Sequence, residues 1–104
     1  MKKFWCYAVG LTLVGLMSAL PNHLVAYTGE KLAKGAKVSI EQARAIALQT
    51  RAGAITDEEL EQEKGGSGLR YSFDIKSGAA AYEVGVDAQT GKVLENKKEG
   101  PHPD

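Results

Sequence analysis

Cysteine and histidine are almost absent from this chain. Of its 104 residues one is cysteine, Cys6, and two are histidine, His23 and His102, all close to the ends. The long stretch between His23 and His102 therefore offers no thiol nucleophile, no imidazole base and no zinc-ligand set, and it must fold without a disulfide. Neither sign of charge dominates, with 13 Lys and Arg against 13 Asp and Glu, which excludes the basic surplus of a nucleic-acid binder. Long apolar runs are missing too, apart from one at the start. Hydrophobic residues make up 43% of the chain, the share of one small globular domain rather than of a disordered segment.

The one apolar run is placed as a leader would be. Lys2 and Lys3 precede the uncharged stretch Phe4 to Leu20, followed by Pro21 and, after Leu24 and Val25, the small residue Ala26. This is the order of a secretory signal, and residues 1–26 are expected to be removed, leaving a chain that starts at Tyr27 in the periplasm or the medium and has no membrane attachment. Cys6 opens the run behind Phe4 and Trp5, where a lipid-accepting cysteine would instead follow small residues at its end. Removal would leave 11 basic and 13 acidic groups.

Residues 27–37, YTGEKLAKGAK, lack apolar periodicity and read as a linker. Residues 96–104, NKKEGPHPD, read as a disordered tail. The folded part is expected over 38–95, and so small a core predicts a stability of about 3–5 kcal/mol.

That part opens with a helix. Ser39 and Gln42 have the spacing of a capping box. Ile40, Ala43, Ile46 and Ala47 recur at helical spacing on a narrow, alanine-rich face, and Gly53 is placed to stop the helix. After Gly53 the period changes to two. Leu69, Tyr71, Phe73 and Ile75 alternate with polar residues, as do Tyr82, Val84 and Val86, so each strand buries one face and wets the other. A two-residue loop at Ser77-Gly78 would set Phe73 opposite Tyr82 and Tyr71 opposite Val84. In 54–64, Ile55 and Leu60 have opposite parity, which a bulged edge strand explains. Asp57, Glu58, Glu59, Glu61 and Glu63 crowd there. Such charges guard an edge, while a calcium loop would need glycine-punctuated spacing that is absent.

"VDAQTGKVLE", Val86 to Glu95, reads as a reversal between strands. Asp87 accepts from the following amides, Thr90 bonds within the loop and Gly91 takes positive φ. A phosphate loop is excluded, because only Gly91-Lys92 matches one. Carboxylates alone could do chemistry in the folded part. Glu83 and Asp87 lie roughly 13 Å apart on a strand, and Asp74 with Glu83, on an open wet face, would gain no useful pKa shift. No catalytic, cofactor or metal residue is therefore expected.

The helix "SIEQARAIAL" (Ser39 to Leu48), Gly53, an acidic strand, "RYSFDI" (Arg70 to Ile75) and "YEVGVDAQTGKVL" (Tyr82 to Leu94) together resemble the PepSY domain. The resemblance implies an α+β fold, one N-terminal helix packed on a three- to four-stranded antiparallel sheet in a half-cystatin manner. It also implies an exported module that restrains a peptidase, since relatives occur as propeptides of thermolysin-like metallopeptidases and as free-standing proteins. The chain departs from the pattern at Gly85, where a larger side chain is usual, and at Glu58, where a small apolar one is. The expected partner is an envelope or secreted protein, a metallopeptidase being the class implied, and no nucleic acid. Expected contacts are Arg70, Asp74, Glu83 and Gly85 on the wet face, with a shallow gap at Gly85. The alternative is a small cation-binding or structural accessory protein using the acidic strand 57–63.

Overall fold

A computed structural model describes residues 27–100; the expected signal segment, 1–26, and the last residues, 101–104, lie outside the described part. In chain order come a 3-10 turn (Glu30–Gly35), helix α1 (Ile40–Thr50) and strands β1 (Ala54–Gln62), β2 (Leu69–Ser77), β3 (Ala80–Asp87) and β4 (Val93–Lys98). Each strand pairs with its chain neighbour, antiparallel throughout, in the order β1-β2-β3-β4. Helix α1 packs on one face. The fold is thus α+β, one helix on a four-stranded antiparallel sheet.

The helix starts at a complete capping box. Gln42 N–H donates to Ser39 Oγ at 3.1 Å, and Ser39 N–H donates to Gln42 Oε1 at 2.9 Å, so two of the orphan donors of the first turn are satisfied reciprocally. Ile40, Ala43 and Ala47 are buried. The two alanines let the helix axis approach the sheet closely. Gly53, expected to stop the helix, does not do so, because α1 ends at Thr50 with Arg51 already extended. Gly53 instead takes φ 155 where the chain crosses the end of β2, and a Cβ there would run into the Lys76 carbonyl.

The sheet keeps the expected parity but not the expected register. Phe73 faces Val84, Tyr71 faces Val86 and Ile75 faces Tyr82, two residues away from the pairing a Ser77-Gly78 loop would impose. Ser77 pairs with Ala80, so the loop is Gly78-Ala79. A two-residue shift leaves every side chain on its own face, which is why alternation could not detect it. The bulge in β1 falls between Ile55 and Asp57. It brings Ile55 opposite Ile75 and Leu60 opposite Tyr71, so both apolar residues of β1 reach the helix side despite their spacing.

Tyr71, Phe73, Ile75, Val84, Val86 and Leu60 fill the space beneath the helix, with the Tyr71 and Phe73 rings stacked at 6.4 Å. Tyr71 keeps its hydroxyl paired by donating to the Val38 carbonyl at 2.7 Å.

Two expected boundaries are corrected. Residues 27–37 do not form a linker. Tyr27, Leu32, Ala33 and Ala36 pack on the core, Leu60 N–H donates to the Thr28 carbonyl at 2.8 Å, and the Gln89 amide donates to the Gly35 carbonyl. Nor does the tail begin at Asn96: β4 continues through Lys98, and Glu99 N–H still donates to the Ala81 carbonyl.

Between β3 and β4, Gly91 takes φ 81, and a Cβ there would come 3.3 Å from Ile46 Cδ1. Gly91→Val is expected to lower stability by more than about 1 kcal/mol, because a β-branched residue resists left-handed φ, whereas exposed Lys92→Ala changes it little. Denaturant midpoints of the two variants check this, and equal small effects would refute it.

Candidate functional site

Asp87 terminates β3 and is almost fully buried, with 2% of its surface exposed. A buried carboxylate needs donors on both oxygens, and the surrounding backbone supplies them. Oδ1 accepts from Gln89 N–H at 2.8 Å, from Thr90 N–H at 3.2 Å and from Ser67 Oγ at 2.8 Å; Oδ2 accepts from Ser67 N–H at 2.7 Å. Burial pushes this carboxyl up, but the bonds from Gln89, Ser67 and Thr90 outweigh burial and hold it below the ordinary carboxylate range. Thr90 Oγ1 in turn accepts from Lys92 N–H at 3.1 Å. Asp87, Thr90 and Gly91 thus make a closed structural turn whose acceptors are spent on the protein itself.

The face of the sheet turned away from α1 carries Arg70, Asp74, Glu83 and Gly85, as alternation requires. Only part of it is wet, which corrects the expectation of an open face. Arg70 and Ser72 are each 8% exposed, and Gly85 is buried. The gap expected at Gly85 is closed, because the Arg70 side chain lies over it: a Cβ there would be 3.2 Å from Arg70 Nη1 and 3.3 Å from Glu95 Cβ. Arg70 Nη1 donates to Glu95 Oε1 at 3.2 Å and Nη2 to the Lys64 carbonyl at 3.1 Å, while Ser72 Oγ donates to Glu61 Oε2 at 2.7 Å. A bulky residue at position 85 would displace that arginine rather than decorate a free surface.

Asp74 and Glu83 stand directly opposite each other on β2 and β3. With Glu99 they form a group whose carboxylate oxygens come within 4.8 Å of one another. The expectation that neither Asp74 nor Glu83 shifts is overturned. Partial burial, then the charges of Glu99 and Asp57, raise Asp74; partial burial, then Glu95, Asp74 and Glu99, raise Glu83.

The acidic strand is divided between two faces. Glu58 points to the helix, where Arg44 grips it with two bonds, Nε to Oε1 at 2.6 Å and Nη2 to Oε2 at 3.1 Å. Asp57, Glu59 and Glu61 lie on the opposite face with Arg70 and Asp74, so the run 57–63 does not converge on one point. Grooves open at the two edges of the sheet. One of about 490 Å³ runs along the start of β1 beside Tyr27 and Thr28, and one of about 510 Å³ sits at the other edge, over Ala79 to Ala81 and Lys98 to Gly100.

Sequence reasoning misses Ser67, Glu99 and the pair Arg44–Glu58. The Gly65-Gly66-Ser67-Gly68 run marks a tight loop, but nothing local ties it to Asp87, twenty residues on. Glu99 falls in the stretch whose composition reads as a tail.

Compared with protein-family models, the chain matches PepSY, described as the peptidase propeptide and YPEB domain, over residues 37–97. No curated protein and no solved structure matches it.

Opposite pKa directions give opposite pH effects. Asp87 titrates lower in the folded state than unfolded, so its contribution is full above the ordinary carboxyl value of about 3.9 and is lost as pH falls through the folded value. Asp74 titrates higher when folded, so its charged form costs stability as pH rises through the folded value. Asp87→Asn is therefore expected to lower stability near neutral pH by about 1–3 kcal/mol. Asp74→Asn is expected to raise it there, with the gain fading below the ordinary carboxyl range. Urea midpoints across the acid range check both; a loss of stability in Asp74→Asn near neutrality would refute the crowding.

Proposed function

Since the chain belongs to the PepSY family, we propose that it is an exported, non-catalytic protein-binding module that restrains or modulates a peptidase of the cell envelope. The observation that carries this reading is the extent of the family match. Residues 37–97 take in α1, β1, β2, β3 and nearly all of β4, so the module accounts for almost the whole described fold.

The chemistry supports the same reading. Residues 27–100 contain neither histidine nor cysteine, and the carboxylates with raised pKa stand beside one another rather than beside a nucleophile they could activate. Binding needs only complementary surface. Export follows from the leader-like order of residues 1–26, which puts the processed chain in the periplasm or the medium. Among the described residues no helix is long and apolar enough to cross a membrane. The competing reading, a cation-binding or structural accessory role, draws on the group Asp74, Glu83 and Glu99 rather than on strand 57–63.

The processed protein is expected to begin at Tyr27, which N-terminal sequencing of the exported chain checks; a full-length chain retained in membranes would show that 1–26 is an anchor. Used as bait on the envelope fraction, the processed chain is expected to retain a peptidase and to slow its hydrolysis of substrate. Calcium heat in titration calorimetry without any captured protein would favour the accessory reading instead.

A further inference from the structure

The two edges of the sheet differ in what they offer to another chain. At β4 the exposed residues Lys97 and Lys98 follow Glu95. At β1 the chain already sets one bridge against the edge: Leu60 N–H donates to the Thr28 carbonyl at 2.8 Å, and Thr28 stands opposite Glu59 in the parallel sense. This edge therefore accepts extended backbone. By the period of two, Glu58 turns its backbone groups outward as Leu60 does, and there the covering ends. From that point the groove of about 490 Å³ opens, lined by Tyr27, Thr28, Ile55, Thr56, Asp57 and Glu58, with Thr56 and Asp57 exposed.

Charge and alternation select what fits. Asp57 and Glu59 sit on the helix-free side and Ile55 on the helix side, while Glu58 is engaged by Arg44. No cation pairs with Asp57 or Glu59 among the described residues. A second copy would set the same carboxylates against these and be repelled. A strand of alternating cationic and apolar residues meets both faces at once, cations toward Asp57 and Glu59, apolar side chains toward Ile55 and Tyr27.

We propose that Ala54–Glu58 is a docking edge for an extended, lysine- or arginine-bearing segment of a partner protein, which adds there as a further strand. This rests on the binding-module reading and assigns the binding to one edge.

The probe is an alternating lysine–valine hexapeptide with blocked ends, added to the chain that begins at Tyr27 and so contains every described element. At saturation it is expected to slow amide exchange within Thr56–Glu58 by about tenfold or more and to leave Val93–Lys98 unchanged. The glutamate–valine counterpart is expected to do nothing. Asp57→Lys is expected to lose the protection while keeping the exchange pattern of β2 and β3, and Asp57→Asn, expected to weaken it, serves if the reversal fails to fold. No protection of β1, protection of β4 instead, or equal protection by the glutamate peptide overturns the proposal. An Asp57→Lys chain that still captures the same envelope protein overturns the edge assignment and leaves the binding-module reading intact. Docking of the peptide to a chain that captures nothing from the envelope supports the edge and overturns that reading.

Discussion

The Asp87 carboxylate is the constraint on which the rest of the molecule depends. An ionised group buried so deeply costs several kcal/mol unless its lone pairs are met, and meeting them fixes two loops at once, the β3–β4 turn through Gln89 and Thr90 and the β1–β2 loop through Ser67. The next residue extends the hold. Ala88 N–H donates to the Leu69 carbonyl, and the Ala88 carbonyl accepts from both Lys37 and Val38 just before the helix. Tyr71, from the floor of the core, reaches the Val38 carbonyl as well. Thus Asp87 and the residue that follows it tie together the start of β2, the β3–β4 turn and the approach to α1.

Two arginines settle two positions of the sheet, Glu58 and Gly85. At Glu58 a carboxylate stands under the helix, and Arg44 neutralises it with a bidentate pair. At Gly85 a side chain is missing from mid-strand, and the Arg70 stem and guanidinium occupy the space. In both cases the residue and its arginine lie on different elements, so the match forms only when the sheet and helix assemble.

What the sequence makes legible is local or periodic: the capping box at Ser39 and Gln42, the alternation of β2 and β3, and the bulge inferred from the parity of Ile55 and Leu60. What escapes depends on distant partners. The hairpin register differs by two residues, a change that leaves every face intact. The stretch 27–37 has little apolar content, yet Leu60 and Gln89, far along the chain, tie it down. The helix-free face reads as wet because nothing in either strand pairs Arg70 with Gly85 and Glu95; only the assembled sheet does. The raised pKa values of Asp74 and Glu83 are hidden for the same reason, since Glu99, which crowds Asp74, arrives from the far end of β4.

These features divide the molecule into two ends. The end holding Asp87, the glycine-rich loop and the start of α1 meets the Asp87 carboxylate and the backbone around it internally. At the opposite end lie the open half of β1, the Gly78-Ala79 loop, the last residues of β4, both grooves, and the carboxylates of Asp74, Glu83 and Glu99, whose mutual repulsion is unrelieved by any cation among the described residues. Proteins that bind through a rigid scaffold keep stability and recognition apart in this way, because a group already satisfied has nothing left to give a partner. The β3–β4 turn, for all its motif-like spelling, is therefore the anchor, and the polar groups left without such partners lie at the end of the sheet that the anchor holds in place.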